Sequence, residues 1–244
     1  MHPKHEQYLK ASELFVEQVK NDPAIIGIVV CGGWLEGHID PNSDIDVHLI
    51  LDPTCAYRER GNTWINGIEI EYFKNPPQQI HSYFRQETTS PHTAFMLAQG
   101  EVRYQASPII EALTGEAQKI IKTAPTPLPG FGKELAKYML DDYYKDLQDA
   151  QAAKDAVGGT LIQQKIINKS IDLFYKSSRK YRPKDKRLLA DLQLLDVEFA
   201  QIIQQSLAIS WDKLNGLNEL KSYVDQFLGG PRTKEWKLKG ALDL

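Results

Sequence analysis

The sequence predicts an α+β fold: a mixed-sheet domain over residues 1–122, then an all-α helical bundle over residues 131–244. Three observations carry this. Short β-prone runs alternate with helical stretches before residue 123, and nearly everything beyond it reads as helix. Thr123-Ala-Pro-Thr-Pro-Leu-Pro-Gly130 sets three prolines at alternate positions before a glycine, a stretch that cannot continue a helix and prefers an extended path. The charge also divides: residues 1–122 hold 10 Lys+Arg against 16 Asp+Glu, and residues 123–244 hold 19 against 16. An acidic unit thus precedes a mildly basic one.

Residues 4–20 read as an amphipathic helix, with Tyr8, Phe15 and Val19 on one face and Leu9 and Val16 widening the stripe. Asn21-Asp22-Pro23 stops it. Ala24 to Cys31 is a continuous apolar run of strand length, the pattern of a buried strand. Ile45 to Leu51 reads as a second strand. Residues 63–73 carry Asn66-Gly67 between two β-prone arms, the strongest short hairpin signal. Helices around 76–87, 91–99 and 107–122, with a short β-prone piece at Glu101 to Tyr104, complete the first half. Beyond the linker the periodicity predicts helices near 131–155, 160–180, 184–206 and 211–228. In the second of these Ile167, Ile171 and Phe174 share a face.

Composition narrows the function classes. A chain of 244 residues that is 42% apolar can bury a core, which excludes general disorder. No apolar run approaches the ~20 residues of a membrane helix, and the N-terminal residues lack the apolar stretch of a secretory signal. Two cysteines, Cys31 and Cys55, make no disulfide scaffold and no metal-type spacing. The expectation is a cytoplasmic protein with reduced thiols. The modest basic surplus of the second half argues against a nucleic-acid partner, which usually calls for a strong basic stripe.

The chemistry concentrates in Cys31-Gly-Gly-Trp-Leu-Glu-Gly-His-Ile-Asp-Pro-Asn-Ser-Asp-Ile-Asp46. A buried strand runs into Gly32 and Gly33, where backbone N–H groups can approach an anion with no Cβ in the way. A polar loop ending in Ser43 follows, then a strand opening Asp44-Ile-Asp46. Side chains alternate along a strand, so Asp44 and Asp46 share one face. Side by side they repel unless a cation lies between them, and hard oxygen ligands suit Mg²⁺. Alone, Asp-x-Asp also fits a solvated strand start. A calcium loop beginning at Asp40 fails, because Ile45 and Leu51 stand where its glycine and bidentate Glu belong.

The combination resembles the nucleotidyltransferase superfamily with the polymerase beta-like fold. Gly32, Gly33, Gly37, Asp44 and Asp46 occupy its signature positions. The family's third carboxylate comes from a later strand, and Glu69 and Glu71 are the candidates, Glu71 being favoured; both also fit outward-facing strand charges. Residues 98–104 with the helix after them resemble small antibiotic-modifying members. Asn168 with Tyr181-Arg-Pro-Lys-Asp-Lys186 resembles their C-terminal helical region. Two positions depart from the pattern: Gly33 replaces a triphosphate-binding serine, and Glu36 stands where an Arg is frequent.

The resemblance implies phosphoryl transfer assisted by Mg²⁺, with two ions on Asp44, Asp46 and Glu71, and ATP as the favoured triphosphate. Gly32, Gly33, Ser43 and Lys186 are the expected nucleotide contacts, with Ser43 alternatively capping its loop. Tyr181 and Lys184 would close over the triphosphate with Lys186, or form a solvated loop between helices. The acceptor implied is a small hydroxylated molecule of the aminoglycoside type, whose positive charge would suit the acidic half. A protein acceptor, as in toxin–antitoxin pairs, and a degenerate nucleotide-binding module are the alternatives. His48 shares the face of Asp44 and Asp46. Trp34 either stacks on a substrate ring or packs as core, Cys31 reads as an inert buried thiol, and His81 and His92 read as ordinary histidines. Asp141-Asp142 reads as a solvated helix face, with an acidic wall or general base as its alternative.

Overall fold

In the computed structural model, which describes residues 4–88, 90–213 and 215–235 together with 237 and 239, the chain divides into two compact units, 1–123 and 124–244. The first unit is built on a five-stranded mixed sheet. Its strands are β1 (Ile25–Cys31), β2 (Ile45–Leu51), β3 (Glu59–Ile65), β4 (Ile68–Asn75) and β5 (Glu101–Gln105), in the order β3-β4-β2-β1-β5. β2 is central, antiparallel to β1 and parallel to β4.

Alternation along the strands divides the core. On one face Ile28, Val30, Ile45, Val47, Leu49 and Ile70 pack against Tyr8, Ala11 and Phe15 of α1 (His5–Val19). On the other, Val29, Cys31 and Ile50 pack against α2 (Pro77–Gln86), α3 (His92–Gln99) and α4 (Ile109–Lys122). Gly27 is what lets α4 come so close, because a Cβ there would lie 2.2 Å from Ile110. Asn66 and Gly67 both take positive φ, 53° and 76°, and form the two-residue hairpin turn that their sequence predicts. β3 reaches back to Glu59, beyond the expected arm. Its exposed and half-buried alternation hid it from a search for apolar runs.

The second unit holds α5 (Gly130–Ala152), α6 (Ala156–Ser177), α7 (Asp185–Leu195), α8 (Val197–Ala208) and α9 (Asn215–Phe227). Phe174 stacks on Phe199 at 4.4 Å, and Phe199 on Tyr223 at 5.4 Å, adding specific ring geometry to the buried area. The single helix expected over 184–206 is two. Asp196 is extended, at φ −161° and ψ 98°, ending α7 and accepting the Phe199 N–H at 2.9 Å as the cap of α8. α6 begins earlier than expected because Asp155 accepts the Gly158 N–H at 2.9 Å. The helix expected from 211 begins at Asn215, and residue 214 lies outside the described residues, as do 1–3 and 241–244. No described helix is long and apolar enough to cross a membrane.

Candidate active site

The site starts where β1 ends. Gly32 has φ +112° and ψ 156°, a conformation essentially confined to glycine, and Gly33–Glu36 then make one 3-10 turn closed by Gly37 at φ +85°. Trp34 is buried, and its indole N–H donates to the Cys31 carbonyl at 3.0 Å. It is therefore core, and the stacking role open to it in the sequence falls away. Burial and the charge of Asp46 push the Cys31 thiol up, so it stays protonated and inert.

The loop that follows is held from both sides. Ser43 accepts the Asp40 N–H on its hydroxyl at 2.7 Å, and its carbonyl accepts the Tyr8 hydroxyl of α1 at 2.7 Å. Ser43 thus caps the loop that delivers Asp44 to the start of β2. The parallel register then sets Asp46 directly beside Glu71 of β4. Asp44, Asp46 and Glu71 each offer a carboxylate oxygen, all within 4.8 Å of one another, and all three are half-buried. Glu69, the other candidate, accepts from Asn62 across the hairpin.

Glu71 is not alone. Arg60 of β3 donates Nε and Nη2 to its Oε1, the first at 2.8 Å, and its guanidinium lies 4.9 Å over the Phe73 ring. On the same face, two residues beyond Asp46, His48 is only 3% exposed and stacks on Phe73 at 5.1 Å. Burial lowers its pKa to about 4, so it is neutral at pH 7. It lines a cavity of about 520 Å³ with Arg58, Arg60, Tyr83 and His92 among others. Sequence reasoning missed Arg58, Arg60 and Tyr83, and took His92 for an ordinary histidine. One signal was legible: counting back from Asn66-Gly67 pairs Arg60 with Phe73, diagonal to Glu71. His81, by contrast, faces Glu116 at 3.1 Å, away from this cavity's lining.

Residues expected from the helical half belong to the second unit. Arg182 donates to Asp172, Asp185 and Asn168, which ties residues 181–186 to α6 and accounts for Asn168 structurally. Lys186 lies in the first turn of α7. Asp141 corrects the expectation of a solvated helix face, since its carboxylate pairs with Lys221 at 3.2 Å and Arg232 at 3.0 Å.

No protein-family model and no curated protein matches the chain. Among solved structures, the crystal structure of a nucleotidyltransferase-like protein from Exiguobacterium sibiricum 255-15 is similar, with a TM-score of 0.51 and 10% identity over 90% of this chain and 73% of that one. The likeness is one of fold, and it is the fold to which the Gly-Gly and Asp-x-Asp motif bears its resemblance.

Proposed function

We propose that this chain transfers a nucleoside monophosphate from a nucleoside triphosphate, ATP foremost, to a hydroxyl of a small acceptor. The observation that carries the reading is the carboxylate trio: Asp44, Asp46 and Glu71 converge within 4.8 Å directly after a glycine turn and its loop. The donor set fits a divalent cation of the Mg²⁺ type, because it offers three hard oxygens whose mutual repulsion a cation relieves. Asp44 and Asp46 would hold one ion and share a second with Glu71. Bound there, the metal neutralises triphosphate charge and lowers the pKa of the acceptor hydroxyl.

The chain's own groups bind and orient. Gly32 and Gly33 allow the backbone to approach the phosphates closely. Ser43, whose oxygen already accepts the Asp40 amide, retains its hydrogen for a phosphate oxygen. The acceptor oxygen forms a bond to the α-phosphorus as the bond to the bridging α–β oxygen breaks. Pyrophosphate leaves, and the hydroxyl proton passes to solvent.

Titrating the protein with each of the four triphosphates, with and without Mg²⁺, tests the reading. Metal-dependent binding that Asp44→Asn abolishes is the expected result. A folded protein that binds none of them overturns it. Lys186→Met in the same titration reads whether Lys186 takes part. The rival reading, a nucleotide-binding module without turnover, draws on Gly33, Glu36 and the Arg60 contact to Glu71. It requires the same binding but no pyrophosphate release with any acceptor.

A further inference from the structure

The carboxylate face of the sheet also carries the cavity of about 520 Å³, which lies in the size range of small-molecule sites. His48 is its most telling wall. The side chain is 3% exposed, and neither ring nitrogen has a hydrogen-bond partner. An unsatisfied buried polar group is costly, and a neutral imidazole offers one N–H and one lone pair. Stacking on Phe73 holds the ring in place. His48 is two residues from Asp46 along one face of β2, so the cavity adjoins the carboxylate trio, ~7 Å along the strand.

The charges around the cavity indicate what fits. Its carboxylates are committed: Glu87 accepts the Thr93 N–H at 2.7 Å and the Thr93 hydroxyl at 2.8 Å on its two oxygens, and Glu59 pairs with Lys74 at 3.4 Å. Its cations keep donors in reserve. Arg58 donates Nη1 to the Tyr83 hydroxyl at 3.0 Å, one donor of a fork that has five. Arg60 holds Glu71 from an exposed position, and would be released if Glu71 turned to a cation. A polycation would meet two guanidiniums there, and both carboxylates already have partners. An anion would find two guanidiniums.

We propose that this cavity is the acceptor subsite and takes a hydroxylated molecule carrying an anionic group, in chemical class a sugar phosphate. Arg58 and Arg60 hold the anion, over the buried ring of His48. The word acceptor rests on the nucleotidyl-transfer reading; the binding site itself rests on the cavity. It replaces the aminoglycoside-like acceptor that the family resemblance implied.

The test is NMR of the histidine ring nitrogens, titrated with D-glucose 6-phosphate, D-ribose 5-phosphate or kanamycin in Mg²⁺, with His48→Phe assigning the His48 signals. The sugar phosphates are expected to shift those signals and to bind at least tenfold more tightly than kanamycin. Arg58→Met, at an exposed position, should weaken them about tenfold or more while leaving Mg·ATP binding unchanged. Asp44→Asn should abolish Mg·ATP binding while the sugar phosphates still shift the His48 signals, more weakly because Arg60 then stays with Glu71. A failure of the nucleotidyl-transfer reading appears separately, as a parent protein that binds the sugar phosphates but no Mg·ATP. The proposal is overturned if only kanamycin moves the His48 signals. It is equally overturned if no sugar phosphate moves them at ~10 mM, or if Arg58→Met binds sugar phosphates as the parent does.

Discussion

Asp46→Asn distinguishes a cation site from a chance cluster of acids. Asp46 sits between Asp44, on the same face of β2, and Glu71, its neighbour on β4, with their ligand oxygens within 4.8 Å. A pair of unit charges at ~4.8 Å repels by ~0.9 kcal/mol in a water-like medium and ~3.5 kcal/mol at an effective dielectric of ~20. All three side chains are half-buried and reach solvent, so the lower end applies, and Arg60 offsets much of the charge on Glu71. The repulsion that Asp46→Asn removes is therefore about 1 kcal/mol. In EDTA at low salt the variant should unfold about 2–4 °C above the parent. Mg²⁺ should reverse the order. At tenfold its dissociation constant the ion stabilises the parent by about 1.4 kcal/mol, and the variant, short of one ligand, gains little. Thermal unfolding followed by circular dichroism reads both conditions. A variant less stable in EDTA, or a shift unaltered by Mg²⁺, would refute the argument.

His48 has a pKa of about 4 in the folded protein against an ordinary 6.5, so as pH falls below 6.5 the unfolded chain binds the proton first and stability drops. The drop should reach ~2.5 kcal/mol between pH 7.5 and 4.5; urea unfolding of His48→Phe should lack it, and parallel pH curves for parent and variant would be the contrary result. Gly32→Ala forces a Cβ into φ +112° and to 3.0 Å from the Trp34 ring, for an expected loss of about 1–3 kcal/mol in urea unfolding; a neutral outcome would mean that the turn relaxes freely. Asp196→Ala removes both the cap of α8 and the acceptor of the Tyr223 hydroxyl. About 1–2 kcal/mol should be lost, and a change below ~0.5 kcal/mol would leave the break between α7 and α8 unexplained by that side chain.

The elements that the sequence announces are those whose physics is local. The apolar run at β1, the Asn66-Gly67 turn and the proline ladder each depend on a few adjacent residues, and each stands where it was expected. What escaped was decided by contacts distant in sequence. The break at Asp196 depends on a side chain that caps one helix while accepting from Tyr223, 27 residues on. The start of β3 is polar on both faces, and it pairs because β4 lies beside it. Asp141 looks like a solvated acid until Lys221 and Arg232 return from the far end of the chain.

The candidate site divides in the same way. Asp44 and Asp46 lie two residues apart where β2 begins, so extended alternation puts them together; Glu71 requires the parallel register of β2 with β4, which no local pattern reports. Arg60 adds a constraint that neither strand reveals by itself. A two-residue hairpin places it across from Phe73, and from there its guanidinium reaches the carboxylate that the proposed cation would also use. One ion pair thus links the trio to the cavity: under the proposals above, a metal that draws Glu71 away would release Arg60 toward that cavity, and an anion that holds Arg60 there would leave Glu71 to the metal. If both proposed ligands bind, linkage makes each strengthen the other by the same factor, a coupling that follows from the position of one arginine rather than from either site alone.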